Sequence, residues 1–378
     1  FYNLWKYRNA DKKQSMFFAI WLLIMLVVDF GTVSYYDKSQ NFYLMIHFVN
    51  IQNLKKKAAK QANENCKLCE KAPKIYHGQR LSSAGRGKYD KLPDKEYLEK
   101  IFKASMGYSL NLENPQTFNE KLQWLKLYNR NPAYTVMVDK YKVRDYIKET
   151  IGEEYLIPLL GVWDKAEDID FDKLPNQFVL KCTHDSGGLC ICRDKNTFDV
   201  KQCKDYLDNR LTHNYYKLWR EWPYKNVVPK IIAEQYIDVT QNSPLKCGDI
   251  ISVEELQCKQ GLLDYKFMCF SGRVQALFLD IGVVKGSSKH AENYYRNVYD
   301  REFNLLPVKE TRENYPLKIK MPDNFNQMVE IAEKLSSGMP HVRVDLYNVK
   351  GRIFFGEFTF FHGSGLSNFF VPKEWDKI

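Results

Sequence analysis

The stretch that decides the fold is RVDLYNVKGRIFFGEFTFFHGSG, residues 343–365. Its apolar residues form two runs joined at Lys350-Gly351, a pattern typical of two β-strands in a hairpin. Two acidic residues, Asp345 and Glu357, lie within these apolar runs. A buried carboxylate without a partner is costly, so each one requires a cation or a hydrogen-bond donor.

The register of this hairpin brings the two carboxylates close together. If the turn is centred on Lys350-Gly351, residues whose numbers sum to about 701 lie opposite each other. Asp345 and Glu357 sum to 702, which makes them near neighbours across the strands. Two such carboxylates suit Mg²⁺, which prefers oxygen ligands and keeps substrate phosphates in its shell. The alternative is a carboxylate pair on a solvated sheet face, but the apolar flanks favour the metal.

A second motif, VLKCTHDSGG at 179–188, has the features of a phosphate site. Lys181 ends an apolar strand and is followed by a loop with two glycines. Such a loop lets backbone N–H groups approach a phosphate, and the lysine adds a positive charge. An ordinary hairpin turn has the same pattern, so the loop indicates a phosphate site only in combination with the motifs around it.

The segment before this loop predicts a helical lead-in. Helical spacing in LPDKEYLEKIFKASMG ends at Gly107, and Thr117 with Glu120 forms a capping box at the start of the next helix. A further single helix is predicted through NPAYTVMVDKYKVRDYIKETIG, with its stop at Gly152.

Strands and helices alternate in the rest of the chain. A strand, a turn and a strand are predicted over 177–194, a helix through CKDYLDNRLTHNYYKLW and a strand in KIIAEQYID. A hairpin with its turn at Ser271-Gly272 follows, then an amphipathic helix that Gly338 ends, then the final hairpin. This order predicts an α+β fold with largely antiparallel sheets.

Composition and charge narrow the range of functions and binding partners. The chain has 378 residues, 44% of them hydrophobic and 27% charged, as in an ordinary globular protein of two or three structural units. The net charge of +10 suits anionic substrates, nucleic acid or a membrane surface. Because no arginine-rich tract or nucleic-acid motif accompanies the charge, phosphate or polyanion binding is favoured and nucleic acid is not expected.

Nine cysteines are spread through the chain without a dense cluster, which predicts a reduced, cytoplasmic setting. CKLC (Cys66, Cys69) has the spacing of metal ligands, but no second pair completes a zinc site, so two free thiols are favoured.

The N-terminal segment, residues 1–90, stays unassigned. Its run of 13 apolar residues at 16–28 is shorter than the roughly 20 of a membrane-spanning helix, and it suits a signal core or a buried helix better. A weak association with the inner face of the membrane through 16–28 is left open. One interpretation is a gene fragment whose first segment is not part of the native fold.

Taken together, these motifs resemble the ATP-grasp fold, and within it the TupA-like group found with bacterial surface-polysaccharide and teichuronopeptide genes. The resemblance spans residues 93–376 and is carried by NPQTFNEKLQWLKLYNRNP, DKYKVRDYI, IGEEYLIPLLGVWD, LPNQFVLKCTHDSGG, REWPYKN, IIAEQYI, DYKFMCFSGR and VRVDLYNVKGRIFFGEFTF. It implies a helical lead-in at 91–152, a first subdomain with the phosphate loop at 153–237 and a second subdomain with the metal site at 238–378.

On the nucleotide side, the resemblance assigns phosphate-binding roles to Lys140 and Lys181. The mobile loop that closes over the phosphates corresponds to His184, Asp185, Ser186, Gly187 and Gly188. The hinge that grips adenine corresponds to Glu234, Gln235, Tyr236 and Ile237.

On the metal side, the resemblance makes Asp345 and Glu357 the acidic Mg²⁺ ligands, with Lys266 facing the acyl-phosphate and Arg343 the transferred phosphoryl group. The last motif of many ATP-grasp enzymes reads E-x-N-x-x-P-G, whereas residues 357–363 read EFTFFHG. Thr359 replaces the asparagine as a weaker oxygen ligand. His362 replaces the proline, which changes the local turn and makes the histidine an alternative acceptor-site residue.

The activity that the resemblance implies is an ATP- and Mg²⁺-dependent ligase. A carboxylate on a sugar or glycopolymer becomes an acyl-phosphate, and an amino acid or other amine attacks it to give an amide. Two alternatives stay open. One is a glycosyltransferase, for which DID at 168–170 is a weak metal motif, and the other is a non-catalytic nucleotide-binding protein.

The segment NYYKLWREWPYKN, residues 214–226, is the candidate acceptor side. Its rings suit a stacked sugar, and Lys217, Arg220 and Lys225 suit a carboxylate. Because arginine is seldom buried without a partner, Arg220 is predicted to face the nucleotide or the acceptor. The alternative is a structural helix whose rings pack in the core.

Overall fold

The computed structural model describes residues 89–239, 250–285, 289–290, 294–310, 312–367 and 370–371. The apolar run at 16–28, the CKLC pair and all but the last two residues of the predicted segment 1–90 lie outside these ranges. Within the ranges, every helix is too short or too polar to cross a bilayer.

The lead-in consists of four helices: α1 Asp94–Met106, α2 Phe118–Tyr128, α3 Ala133–Val138 and α4 Val143–Thr150. The predicted capping signals are confirmed. Gly107 ends α1 with a left-handed φ of 80°, and Thr117 and Glu120 form the reciprocal capping box of α2.

The prediction of one helix over 131–152 is wrong, because the chain leaves the helix at Asp139. The Asp139 backbone is extended, with φ −78° and ψ 109°, and its carboxylate accepts from the backbone N–H groups of Tyr141 (2.9 Å) and Lys142 (3.2 Å). Such side-chain bonds compete with helical ones. The Lys140 N–H donates to the Thr183 carbonyl at 3.1 Å, so the break attaches Lys140 to the predicted phosphate loop.

The first sheet is antiparallel, with strand order β1-β4-β2-β3. Its elements in chain order are β1 Leu159–Trp163, β2 Phe178–Cys182, β3 Leu189–Cys192, α5 Val200–Leu211, α6 Tyr215–Trp219 and β4 Ile231–Gln235. The helix predicted through 203–219 is thus two helices, with Asn214 capping the second. Leu180, Cys203 and Leu207 belong to the core between this sheet and α5.

The second sheet has five strands in the order β10-β7-β6-β13-β14, all antiparallel. The remaining elements in chain order are β5 Ile250–Ile251, α7 Val253–Gln260, β6 Asp264–Phe270, β7 Arg273–Ile281, β8 Val284–Lys285, β9 Lys289–His290, β10 Tyr295–Tyr299, β11 Lys309–Glu310, β12 Lys318–Ile319, α8 Phe325–Leu335, β13 His341–Val349, β14 Arg352–Thr359 and β15 Phe370–Val371. Three further two-stranded pairs form: β5 with β12, β8 with β9, and β11 with β15. The α+β class with antiparallel main sheets is therefore confirmed.

Both predicted hairpin turns are confirmed. Ser271 and Gly272 have φ of 50° and 76°, and Lys350 and Gly351 have φ of 53° and 76°. Positive φ at both central residues gives the turn whose twist matches the flanking strands.

The two faces of the second sheet differ in chemistry. Val342, Val344 and Leu346 of β13 belong to the large apolar core that also contains Phe325 and Met328 of α8. Because side chains alternate along a strand, Arg343, Asp345 and Tyr347 point to the opposite face. The described residues belong to one compact unit, and the predicted boundaries at 152 and 237 stay a prediction.

Candidate active site

The site begins at a β-bulge in the β13–β14 hairpin. Leu346 pairs with Phe355, but Asp345 pairs with Glu357, so the ladder shifts by one residue at Gly356. A one-residue shift moves the following side chains to the other face of the sheet. Without the bulge, Glu357 would lie opposite Val344 on the core face. The bulge therefore places both carboxylates on the charged face.

Asp345 is held by two cations. Arg343 donates from Nε to Oδ1 and from Nη2 to Oδ2, both at 2.6 Å, and Lys266 donates from Nζ to Oδ2 at 2.8 Å. The Asp345 side chain is only 2% exposed. Burial acts to raise the pKa of Asp345, but the charges of Arg343 and Lys266 outweigh it and hold that pKa below its ordinary value.

Glu357 has looser surroundings than Asp345. Its side chain is 37% exposed, with Oε1 at 3.3 Å from Nη2 of Arg343 and Oε2 at 3.6 Å from Nζ of Lys140. Lys140 also donates to the backbone carbonyl of Asp185 at 2.7 Å. One ammonium group thus connects the carboxylate hairpin to the glycine loop.

Lys181 lies on the first sheet, beside the hinge carboxylate. Its Nζ donates to Oε2 of Glu234 at 2.6 Å, and Nη1 of Arg144 lies 3.3 Å from Oε1 of the same carboxylate. Arg144 also donates to the Ile157 carbonyl at 2.9 Å. Two cations therefore share one acidic partner, which leaves net positive charge for an anion.

The loop at 184–188 is fastened to α5 and to the segment that follows it. His184 Nε2 is 3.1 Å from the His213 carbonyl, the Asp185 carboxylate pairs with Arg210, and the Tyr206 hydroxyl donates to the Gly187 carbonyl at 3.0 Å. His184, Asp185 and Gly188 are buried, whereas Ser186 and Gly187 are exposed. Only the tip of the predicted mobile loop is therefore open to solvent.

The predicted hinge begins in β4 of the first sheet, with Glu234 and Gln235, and continues to Ile237. The Gln235 N–H donates to the Pro158 carbonyl at 3.0 Å, and the Gln235 side chain is exposed. Ile237 packs in an apolar cluster with Phe354 and Tyr347 of the hairpin. Tyr236 lies between them and is half-buried. Adenine binding by 234–237 stays a prediction.

Lys266 has a second acidic partner, Asp264, which the sequence reading missed. Burial raises the pKa of Asp264 to about 6, aided by the charges of Asp345 and Asp280 and opposed by Lys266. For Lys266, burial acts to lower the pKa, but Asp264 and Asp345 together raise it above its ordinary value. Lys266 therefore stays charged.

Arg343 is further positioned by a neutral histidine. Its Nη1 lies 2.7 Å from Nδ1 of His362, a nitrogen that accepts when the ring is neutral. Burial, followed by the charges of Arg343 and Arg296, holds the pKa of His362 well below its ordinary value. The histidine in the proline position of the motif thus orients the arginine.

Arg220 is not part of this constellation, so the prediction that it faces the nucleotide or acceptor is wrong. Its side chain is 1% exposed and lies 3.3 Å from Asp94, with the guanidinium 4.1 Å from the centre of the Tyr97 ring. It also donates to the Tyr89 carbonyl at 2.9 Å. Arg220 ends α6 with a left-handed φ of 54°, which turns it toward the lead-in, and its role is structural.

The predicted Mg²⁺ ligands share one face of the second sheet. Asp345 pairs with Glu357, and Thr359 pairs with Arg343 on the same strands. Their oxygens are the donors that Mg²⁺ prefers. Within the described residues, however, no group of three or more His, Cys, Asp or Glu forms a ready cage. Because both Asp345 oxygens already accept from cations, the residues fit a magnesium ion that arrives with phosphate oxygens, rather than one bound alone.

Sequence reasoning also missed a buried polar row beside the hairpin. Glu221, Ser364 and Lys126 are all buried. Ser364 donates to Glu221, and Lys126 donates to the Ser364 carbonyl at 2.8 Å. The available signal was a lysine on the apolar face of the predicted helix at 118–128.

Comparison with known proteins identifies a family. A family model described as TupA-like ATPgrasp matches residues 120–378, which is more than half of the chain. No curated protein matches the chain.

Several solved structures are similar to it at low identity. An L-amino acid ligase from Bacillus licheniformis is 13% identical, with a TM-score of 0.40, 73% of this chain covered and 57% of that one. A D-alanine-D-alanine ligase from Helicobacter pylori is 14% identical, with a TM-score of 0.35, 68% of this chain covered and 66% of that one. The chain thus spans less than two thirds of the length of either protein.

Proposed function

The chain belongs to the TupA-like ATP-grasp family, and from that premise we propose that it is an ATP- and Mg²⁺-dependent ligase that joins a carboxylate to an amine. The carboxylate attacks the γ-phosphorus of ATP and forms an acyl-phosphate with release of ADP. The amine then attacks the acyl carbon, and phosphate leaves.

The observation that carries this proposal is the position of Lys140. Its ammonium is 2.7 Å from the carbonyl of Asp185 in the glycine loop and 3.6 Å from the carboxylate of Glu357 in the hairpin. The phosphates of ATP, bound beside Lys140, would lie between positive charge on the first sheet and metal-binding oxygens on the second. Phosphoryl transfer depends mainly on such positioning and charge stabilisation.

Each side chain has a defined task in this proposal. Lys140 and Lys181 hold the phosphates, for which Lys181 exchanges part of its contact with Glu234. Arg343, held in place by Asp345 and His362, stabilises negative charge on the transferred phosphoryl group. Lys266 faces the acyl-phosphate. Glu357 and Thr359, with Asp345, would hold Mg²⁺, which supplies charge neutralisation on the phosphates.

The carboxylate substrate that we propose is a sugar acid or a glycopolymer, and the amine is an amino acid. Support comes from the family, because the resemblance of this chain to the TupA-like group implies a role in surface-polysaccharide or teichuronopeptide synthesis. This proposal places the protein in the cytoplasm, at the inner face of the membrane, because ATP and activated sugars are cytoplasmic.

Nucleotide binding, followed by a trapping reaction, tests the proposal. Calorimetry compares MgATP with UDP-glucose and UDP-glucuronate, and ADP release is then followed with uronic acids and hydroxylamine, which captures acyl-phosphates as hydroxamates. We expect MgATP to bind and Lys181→Met to weaken it at least tenfold, while Lys173→Met, an exposed lysine paired with Asp170, has no effect. Binding of UDP-sugars without ATP would contradict the ligase.

The structure of the DID motif does not support the glycosyltransferase alternative. Asp168 ends one short 3₁₀ turn and Asp170 caps the next, where it accepts from the Asp172 N–H at 3.1 Å and pairs with Lys173. Both acidic residues are therefore engaged in surface turns. A non-catalytic protein would bind MgATP but release no ADP with any carboxylate.

A further inference from the structure

The carboxylate of Glu234 is shared by two cations on one face of the first sheet. Leu180, Cys182 and Ala233 belong to the core between this sheet and α5. Because side chains alternate along a strand, Lys181 and Glu234 point to the opposite face. There Oε2 of Glu234 accepts from Nζ of Lys181 at 2.6 Å, and the Glu234 side chain is 10% exposed. The carboxylate is therefore largely enclosed and requires a positive partner.

Arg144 is the second cation, and it is anchored independently of Lys181. It is the second residue of α4, and its side chain is 15% exposed. Its Nη1 is 3.3 Å from Oε1 of Glu234, and its Nη2 donates to the Ile157 carbonyl at 2.9 Å. Because the Ile157 carbonyl fixes the guanidinium, Arg144 keeps its place beside Glu234 when Lys181 moves.

This arrangement creates a competition for Lys181. The shorter of the two ion pairs holds Lys181, so a phosphate must draw its ammonium away from a largely buried carboxylate. A buried carboxylate that is left without a cation is strongly unfavourable. Arg144 removes that obstacle, since Oε1 of Glu234 keeps its partner when Oε2 loses one. A carboxylate between two cations can thus release one of them to a ligand without being left unpaired.

We propose that Arg144 is a positioning residue of the nucleotide site, which retains Glu234 while Lys181 transfers from this carboxylate to the phosphates of ATP. The inference rests on the proposed ATP-dependent function and adds a residue that acts through its neighbours, without contacting the nucleotide itself. Only ion pairs and hydrogen bonds are exchanged in this step. Lys181 then directs its positive charge at the phosphates. Arg144 thereby determines how strongly the site binds the phosphates of the nucleotide.

A purely structural role for Arg144 makes a different prediction. If the arginine only fastens α4 to the first sheet, its loss weakens MgATP binding whether or not Glu234 is charged. If the arginine retains Glu234 so that Lys181 can leave, its loss matters only while that carboxylate is present. A double-mutant cycle between Arg144 and Glu234 measures this difference directly.

The test titrates the whole chain with MgATP by calorimetry, as wild type, Arg144→Met, Glu234→Gln and the double variant. Denaturant unfolding checks that each protein is folded. The control is Lys148→Met, which removes an exposed ion pair with Glu153 from the same helix. Arg144→Gln keeps a donor for the Ile157 carbonyl but not the charge, so it gives the same test if Arg144→Met folds poorly.

We expect Arg144→Met to raise the dissociation constant of MgATP by about tenfold or more, because the phosphates must then leave Glu234 unpaired. Glu234→Gln should bind MgATP within about threefold of wild type, since no carboxylate competes for Lys181. Adding Arg144→Met to Glu234→Gln should change the constant by less than about threefold. Lys148→Met should bind MgATP as wild type does.

The outcomes separate this inference from the proposed function. If the wild type does not bind MgATP, the proposed function is wrong and the role of Arg144 is wrong with it. If the wild type binds MgATP, three results contradict the role of Arg144 alone. Arg144→Met binds normally, or it loses the same factor with and without the Glu234 carboxylate, or Glu234→Gln by itself abolishes binding.

Discussion

At the scale of single residues, Asp345 and Glu357 pair across two strands but differ in what they hold. Asp345→Asn leaves the buried Arg343 and Lys266 without their shared charge. Breaking a buried pair from one side costs about 3–5 kcal/mol. Glu357→Gln changes a side chain that is 37% exposed, so its cost is small.

We therefore predict that both substitutions lower ATP turnover by on the order of a hundredfold, but only Asp345→Asn lowers the free energy of unfolding substantially. Steady-state kinetics and denaturant unfolding measure the two effects. Equal stability of the two variants would show that the cations around Asp345 do not depend on it, and unchanged turnover in both would remove the metal assignment.

Glu221 makes the stability of the protein depend on pH, and the raised pKa of this carboxyl group decides whether stability rises or falls with pH. Burial moves this pKa from 4.5 to about 7, so between these values the folded state binds more protons than the unfolded state. Stability therefore falls as pH rises through this window. Relative to Glu221→Gln, which does not titrate, we expect wild-type unfolding free energy to drop by on the order of 3 kcal/mol.

Urea unfolding of both proteins at pH 4.5, 6 and 8 checks this difference. The comparison cancels groups that do not interact with Glu221, such as His341 and Asp264. Lys126 does interact with it, but burial lowers the pKa of Lys126 only to about 8, so this lysine stays charged in the wild type between pH 4.5 and 6. A difference that stays constant with pH, or rises with it, would mean that Glu221 is charged in the folded state across the whole range.

At the scale of elements, the glycine loop is tied to α5 by Arg210 and by the Tyr206 hydroxyl, and Arg210 makes the charged contact. Arg210 pairs with the Asp185 carboxylate and donates to the Ser186 carbonyl at 3.0 Å. We expect Arg210→Ala to speed hydrogen exchange of the amides at 185–188 in the absence of ATP. Lys201→Ala, an exposed lysine on the same helix, should not.

MgATP should slow exchange over 183–189 in the wild type, because the loop N–H groups would then contact phosphate. Since Ser186 and Gly187 alone are exposed at present, the largest change belongs to these two amides. Equal exchange with and without nucleotide would contradict a closing loop.

The bulge at Gly356 is a second element on which the site depends. A Cβ at this position would lie 3.0 Å from the Asp345 carbonyl and 3.2 Å from the Tyr347 ring. Gly356→Ala must therefore displace a strand or the ring, at about 1–3 kcal/mol. We expect reduced stability and weaker MgATP binding by calorimetry, whereas Gly351→Asn at the distant turn should keep binding. Normal binding by Gly356→Ala would show that the bulge does not set the position of Glu357.

The hairpin itself was predictable, because its turn residues and apolar runs are local signals. The bulge was not, since a period-two pattern does not record one extra residue, and the sum of 702 rather than 701 was its only trace. The break at Asp139 was hidden for a similar reason: the apolar spacing continues through it, and only the side-chain bonds of Asp139 stop the helix. The prediction for Arg220 failed because its ion-pair partner, Asp94, is far away in sequence.

At the scale of the whole molecule, the lead-in is part of the site rather than an attachment. Helix α2 presents Asn119, Gln123 and Lys126 on one face, and all three donate to backbone carbonyls within 364–367. Spacing of three and four residues gives a helix such a polar stripe. The turn that follows the last motif is thereby fixed from outside the two sheets.

MgATP should join the two sheets, since Lys181 belongs to the first and Glu357 to the second. Without nucleotide, Mg²⁺ must compete for carboxylates that are already paired with Arg343, Lys266 and Lys140. Its binding is therefore weak unless phosphate oxygens complete its coordination shell. We predict that millimolar MgCl₂ leaves the melting temperature nearly unchanged. MgATP at a hundred times its dissociation constant should stabilise the protein by about 2.7 kcal/mol. Thermal unfolding with MgCl₂, ATP with EDTA, and MgATP separates these cases, and Glu357→Gln should reduce the gain from magnesium. Strong stabilisation by MgCl₂ alone would indicate a metal site that is complete before the nucleotide binds.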